Sequence, residues 1–186
     1  MRRRRPIMPW RKSYVMGDKK AFLKSALARA KDMHGPPAPI VPFADWDFYY
    51  VTGQVSWVPP KGSNVPFNVD VPIGFVTDLA SIPRVFWAIL PPHARYSYPA
   101  IIHDYLYWTQ PCTRAVADEV LKLAMNDMKV SRIQVFTIYQ AVRLAGGGAW
   151  SSNSSAKQAG EKRILKKFPT GLNTAWEEWK NRPGVF

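Results

Sequence analysis

The stretch VPIGFVTDLASIPRVFWAILPPHARYSYPAIIHDYLYWTQ, residues 71–110, decides the fold, because the apolar pattern changes period across it. Before it, prolines between Pro36 and Pro72 bound short alternating runs at Asp47 to Thr52, Gln54 to Val58 and Val65 to Val71. Proline cannot donate to a ladder, so such pieces read as edge or meander strands. From Ser97 onward the spacing becomes helical. The residues therefore predict an α+β fold: a small antiparallel sheet from about Asp45 to Val76, followed by a packed layer of about three helices.

Local signals bound those helices. Ser97 to Thr109 carries Pro99 in its first turn, where a missing N–H costs nothing. Thr113 is placed to cap a helix reaching Lys129, with Val116, Val120, Leu121, Ala124 and Met128 on one face. Ser131 and Gln134 form a capping box for a third helix, expected to close on Gly146-Gly147-Gly148 after Ala145. A Ser/Asn-rich linker, Trp150 to Ser155, then leads to a basic helical tail in which Leu165, Phe168, Trp176 and Trp179 are docking contacts. Upstream, Asp18 to Met33 reads as an amphipathic helix stopped by Gly35-Pro36-Pro37. The expected divisions are 1–35, a basic arm and helix; 36–150, the α+β core; and 151–186, the basic tail.

A chain of 186 residues with 47% hydrophobic, 13% aromatic and 21% charged residues can bury one sizeable core, which excludes wholesale disorder. Its one cysteine, Cys112, excludes an intrachain disulfide framework. No apolar run approaches the roughly 20 residues of a membrane span, and the basic opening MRRRRPIMPWRK has no apolar stretch behind it, so no transmembrane segment or secretory signal is expected. The net charge of +13 is concentrated at the ends. Met1 to Lys31 carries eleven Lys or Arg against Asp18 alone; Asp32 to Ala156 carries eight against nine acids; Lys157 to Phe186 carries seven against three. Arg2, Arg3, Arg4 and Arg5, with Arg11 and Lys12, are candidate contacts to nucleic acid or an acidic partner, since guanidinium groups neutralise phosphates and release counterions. The alternative is a solvated, solubilising tail.

The chemistry-bearing residues gather where strands give way to helices. If the first two helices form a hairpin turning near Pro111, His103 and Asp118 lie nearly level across it. A carboxylate opposite an imidazole can fix its tautomer and leave the other ring nitrogen free as a base. Asp104 points about 100° around the helix, where it could hold a hard cation or a nucleophile, and Tyr107 shares the face of His103. Arg114 is within a turn of Asp118 and could pair with either acid, and Asp78 adds a third carboxylate. Each has an ordinary structural role as well. His103 and Asp104 could be polar partners at a helix junction, Asp78 could cap a turn, and Asp118-Glu119 suits the start of a helix. Cys112 has no His or Asn at a catalytic spacing, and there is no P-loop, dinucleotide glycine motif or metal-ligand cysteine pair.

VPIGFVTDLASIPR at 71–84, HDYLY at 103–107 and the AD pair at 117–118 resemble the family called domain of unknown function 1353. That resemblance spans roughly Asp45 to Trp150 and implies a phage-type origin, since members are mostly encoded by bacteriophages, prophages and their hosts. HD-x-x-Y on one helix and AD on the next is also similar to phospholipases of the A-two class, in particular the disulfide-free forms on parvovirus capsid proteins. That second resemblance implies His103 as general base, Asp118 as its orienting carboxylate and Asp104 as a calcium ligand. The Y-x-G-x-G calcium loop of those enzymes is absent, and Leu106 stands where the secreted forms carry cysteine.

Two function classes are left open. One is a virion or assembly protein, in the particle or the host cytoplasm, whose neutral core docks on other virion proteins and whose basic ends contact nucleic acid or an acidic neighbour. The other is a metal-assisted hydrolase of a lipid, ester or amide built on His103, Asp104, Asp118, Asp78 and Tyr107.

Overall fold

The computed structural model describes residues 38–45, 47–79, 97–171 and 173–186, all within the compact unit Gly35–Phe186. The arginine arm, Arg11, Lys12 and the helix expected over Asp18 to Met33 lie outside the described residues. Five short strands come first: β1 (Ile40–Pro42), β2 (Tyr49–Val51), β3 (Val55–Trp57), β4 (Val69–Val71) and β5 (Val76–Thr77). They form two antiparallel sheets, β1-β2-β5 and β3-β4, instead of the single sheet expected, and strand structure begins at Ile40, ahead of Asp45.

Burial explains the two patterns. In β3 and β4 the apolar residues Val55, Trp57, Val69 and Val71 are buried, while Ser56 and Asp70, paired in register, face outward with the Ser56 hydroxyl donating to Asp70 Oδ1 at 2.6 Å. That is the alternation of a sheet covered on one side. In β2 all three residues are buried because both faces are covered. Tyr49 and Val51 join the main core with the helices, whereas Tyr50 joins a second cluster with Phe43, Val76, Leu165, Trp176, Trp179 and Val185.

The C-terminal segment reaches that second cluster by pairing with the sheet. The Val76 N–H donates to Arg163 O (2.8 Å), the Leu165 N–H to Gly74 O (2.9 Å), and Phe75 bridges Ile164. Gly74, at φ +88°, lies so close to the Leu165 carbonyl that any Cβ there would collide with it.

The helices are α1 (Ser97–Thr109), α2 (Arg114–Asp127), α3 (Arg132–Gln158) and the short α4 (Trp176–Trp179). Helix α1 is the central element: Ile101, Ile102 and Leu106 are almost fully buried, each contributing about 1.5–3 kcal/mol. Tyr98 ties it to β3 by accepting from the Ser56 N–H and donating to Ser56 O. Trp57 Nε1 donates to Asp127 at 2.8 Å, fixing β3 to the end of α2. Thr113 and Ser131 cap α2 and α3 as their sequences require, accepting from the N–H groups of Val116 and Gln134.

Helix α3 corrects one expectation. It runs through Gly146-Gly147-Gly148 and the supposed linker to Gln158, because Trp150 and Ala156 pack on the main core and Lys157 Nζ donates to Thr109 O (3.1 Å). Its stop is Gly160, at φ +89°, where the Gly160 and Glu161 N–H groups return to Lys157 O and Ala156 O.

Candidate functional site

Helices α1, α2 and α3 meet at Asp118. This carboxylate is fully buried and accepts four hydrogen bonds. Oδ1 takes His103 Nε2 (2.9 Å) and the Tyr107 hydroxyl (2.6 Å) from α1; Oδ2 takes Arg114 NH1 (3.2 Å) from its own helix and Arg143 NH1 (2.7 Å) from α3. The level pairing expected across the hairpin is present, and Arg114 selects Asp118 over Asp104. NH1 of Arg114 also donates to the Val142 and Arg143 carbonyls, each at 3.2 Å, binding α2 to α3.

Charge and burial act together here. Burial by itself would raise the Asp118 pKa, but the bonds from His103, Tyr107 and Arg143 outweigh it, so the carboxyl is held below its ordinary value. Burial lowers the His103 pKa, against the pull of Asp118, so the imidazole is neutral. A carboxylate only accepts, so Nε2 carries the ring proton and Nδ1 presents a lone pair. That Nδ1 is buried with no hydrogen-bond partner among the described residues, and the imidazole is 0% exposed. Tyr107 packs over it with ring centroids 4.1 Å apart, and Trp150 meets Tyr107 edge-on at 5.1 Å. Burial, then the bond to Asp118, drives the Tyr107 pKa far up and keeps the phenol protonated.

Helix α3 comes this close because of Gly146. A Cβ at that position would collide with the Tyr107 hydroxyl, so the residue read as a helix stop is a contact surface for the buried cluster.

Asp104 is turned elsewhere: its Oδ2 accepts from the Thr77 hydroxyl, which in turn accepts from the Leu79 N–H at 3.0 Å. Thr77 thus makes the local turn bond expected of Asp78. Asp78, Asp104 and Tyr107 share a small polar pocket of ≈ 210 Å³ with Ala149, Ser152, Asn153 and Arg163, and His103 and Asp118 do not line it. The phospholipase-like resemblance implies Asp104 as a calcium ligand. A hard cation takes six to eight oxygens, and among the described residues no group of three or more His, Cys, Asp or Glu could hold a metal ion.

The sequence reading missed Arg143, Thr77, Ser152, Asn153 and Arg163. Arg143 is separated from Asp118 by 25 positions and lies inside the predicted third helix, but which face of that helix meets Asp118 is set by long-range packing that local spacing does not give. Thr77 carried a usable signal, since Thr two residues before a turn amide is a common local acceptor.

A family model described as Protein of unknown function (DUF1353) matches residues 48–142, about half of the chain. Neither the curated proteins nor the solved structures gave a match.

Proposed function

Because this chain belongs to the DUF1353 family, whose description assigns no activity, its function has to be argued from its own geometry, and we propose that it is a phage-type particle or assembly component that works by docking. In this reading the α+β body binds other proteins of the particle, and the basic ends contact nucleic acid or an acidic neighbour. One observation carries it: His103 and Asp118, the pair that resembles a catalytic dyad, form a sealed clasp. A general base must reach the proton it abstracts. His103 is 0% exposed and Asp118 is saturated by four donors from three helices, so both residues hold the layer together.

The phage-type setting rests on the family resemblance, and the docking role is supported by Ile133, Phe136 and Leu144 of α3, which are 80%, 64% and 87% exposed. Large apolar residues grouped on one exposed face mark protein contacts. The test is incorporation. Particles purified from cells that express the wild type or a Phe136→Asp, Leu144→Asp double variant are probed for the chain. Wild type in the particles, and loss of the double variant at unchanged solubility, is the expected result. Equal incorporation of both would overturn the role of this face, and absence of the wild type from particles would overturn the assembly reading.

A second reading, hydrolysis at the small polar pocket, is favoured by the sharing of that pocket by Asp78, Asp104 and Tyr107. Lipid and ester hydrolysis by the wild type and by Asp104→Asn, with and without calcium, separates the two. Turnover that Asp104→Asn abolishes while its melting temperature is retained would establish the enzyme.

A further inference from the structure

Residues 157–186 carry seven Lys or Arg against three acids, and each acid is engaged: Glu161 by Arg163 at 2.8 Å, Glu177 by Lys180 at 2.7 Å and Glu178 by Arg182. Lys157 donates to Thr109 O. Lys162, Lys166 and Lys167 are exposed and make no ion pair among the described residues. The rest of the chain has no acids to offer them. The residues outside the described set hold the eleven cations of Met1 to Lys31 together with Arg84 and Arg95, against Asp18 and Asp32 alone. A composition so strongly of one sign repels a row of lysines and does not neutralise it.

The fold sets these lysines along one line. Hydrogen bonds to Gly74 and Val76 hold 163–165 extended beside the sheet, with Leu165 buried and Arg163 stacked 4.6 Å from the Trp108 ring. Lys162, Ile164 and Lys166 alternate with those two and are exposed, so the two lysines stand about 13 Å apart. The Lys166 and Lys167 N–H groups both donate to Val185 O, at 2.6 and 3.3 Å, which fixes the end of the row. Lys162 also lines, with Lys180 and Asn181, an open cavity of ≈ 510 Å³ between the end of α3 and residues 180–186. Next to Lys167, the ring of Phe168 is 38% exposed and is held by Tyr50, with centroids 5.6 Å apart.

The chemistry of the row selects its partner. A lysine ammonium is a compact, strongly hydrated point charge that meets phosphate without a planar fork. Contacts between proteins are depleted in lysine and have a dry apolar centre, whereas contacts to nucleic acid are polar and strongly positive. Three lysines beside a partly open aromatic ring, on which a base can stack, fit the second description.

We propose that Lys162, Lys166 and Lys167 form a contact to the phosphate backbone of nucleic acid. This deepens the reading that the basic ends meet a polyanion, and rests on it, by naming the residues and the polyanion. The test titrates the full-length chain onto a labelled DNA duplex and onto single-stranded RNA over a range of salt concentrations. On the duplex, the Lys162→Gln, Lys166→Gln, Lys167→Gln variant should show a dependence of log K on log salt shallower by about 2–3 than wild type, about 0.9 for each lysine. Lys61→Gln, Lys129→Gln, Arg132→Gln removes the same net charge elsewhere and should change the slope by less than about 1. Both variants should melt close to wild type. Acetylation read by mass spectrometry supplies the location: bound nucleic acid should shield Lys162, Lys166 and Lys167 and leave Lys61 as reactive as in the free chain.

Equal slopes for the two variants, or shielding confined to Lys12, Lys19, Lys20 and Lys24, would overturn the inference. Shielding of the row by an acidic peptide but by neither nucleic acid would assign it to a protein partner and likewise overturn it. A wild type that binds and is shielded as expected, yet is absent from purified particles, would overturn the assembly reading and leave this contact standing.

Discussion

Replacing Asp118 by Asn keeps the size of the side chain and removes the charge at the meeting point of three helices. Two guanidinium groups, an imidazole N–H and a phenol converge on that carboxylate, and an amide can accept at only one of its two terminal atoms. Its NH2 would face the donors of Arg114 and Arg143. Removing one partner of a fully buried ion pair costs about 3–5 kcal/mol. The side chains of Arg114 and Arg143 are 26% and 33% exposed and recover some hydration, which brings the expected loss to about 3 kcal/mol. For a chain of this size each kcal/mol shifts the melting temperature by about 2–4 °C, so Asp118→Asn should melt roughly 6–12 °C below wild type. The measurement is thermal unfolding by circular dichroism, with Glu178→Gln as control. Glu178 pairs with Arg182 at the surface, so its loss should be close to nothing. A melting temperature for Asp118→Asn within about 2 °C of wild type would refute the clasp.

The same cluster and its supports yield three further expectations. Gly146→Ala should lower stability despite the better helix propensity of alanine, because the new methyl group meets the Tyr107 hydroxyl; a raised melting temperature would show that α3 does not approach so closely. Gly74→Ala should destabilise through both its φ of +88° and the collision with the Leu165 carbonyl, and urea unfolding should show a lower midpoint with an unchanged slope. Stability should fall on acidification in two windows. The folded His103 pKa is lowered, so the unfolded chain takes up that proton first and stability declines as pH drops below about 6.5; Asp118, also lowered in the fold, is protonated first in the unfolded chain and adds a loss below about pH 4. Urea midpoints measured between pH 8 and 3 check this, and a flat profile from pH 7 to 5 would contradict the neutral buried imidazole.

Much of this architecture is legible in local signals. The Pro-bounded alternating runs mark β2, β3 and β4, and Ser97 to Thr109 is helical over the range its spacing predicts, because these features depend on residues close in the chain. The His103–Asp118 pairing is also legible, since a short hairpin fixes the level of one helix against the next. What escapes is long-range. Gly146 to Gly148 read as a stop because glycine commonly ends helices, and only the packing of Trp150 and Ala156 on the core shows why this helix continues. Residues 163–165 return to Gly74 and Val76, a pairing across about 90 positions that no local pattern announces. Arg143 was missed for the same reason.

His103 is a sealed, neutral structural partner of Asp118. Long-range proton–nitrogen NMR of the imidazole, recorded from pH 8 to 5 on the folded chain, tests it most directly. The expected signal is an Nε2–H tautomer whose titration is displaced below the ordinary imidazole value and is unchanged by calcium. An imidazole that titrates near its ordinary pKa of about 6.5, or whose Nδ1 signal shifts on adding calcium or a lipid substrate, would contradict it.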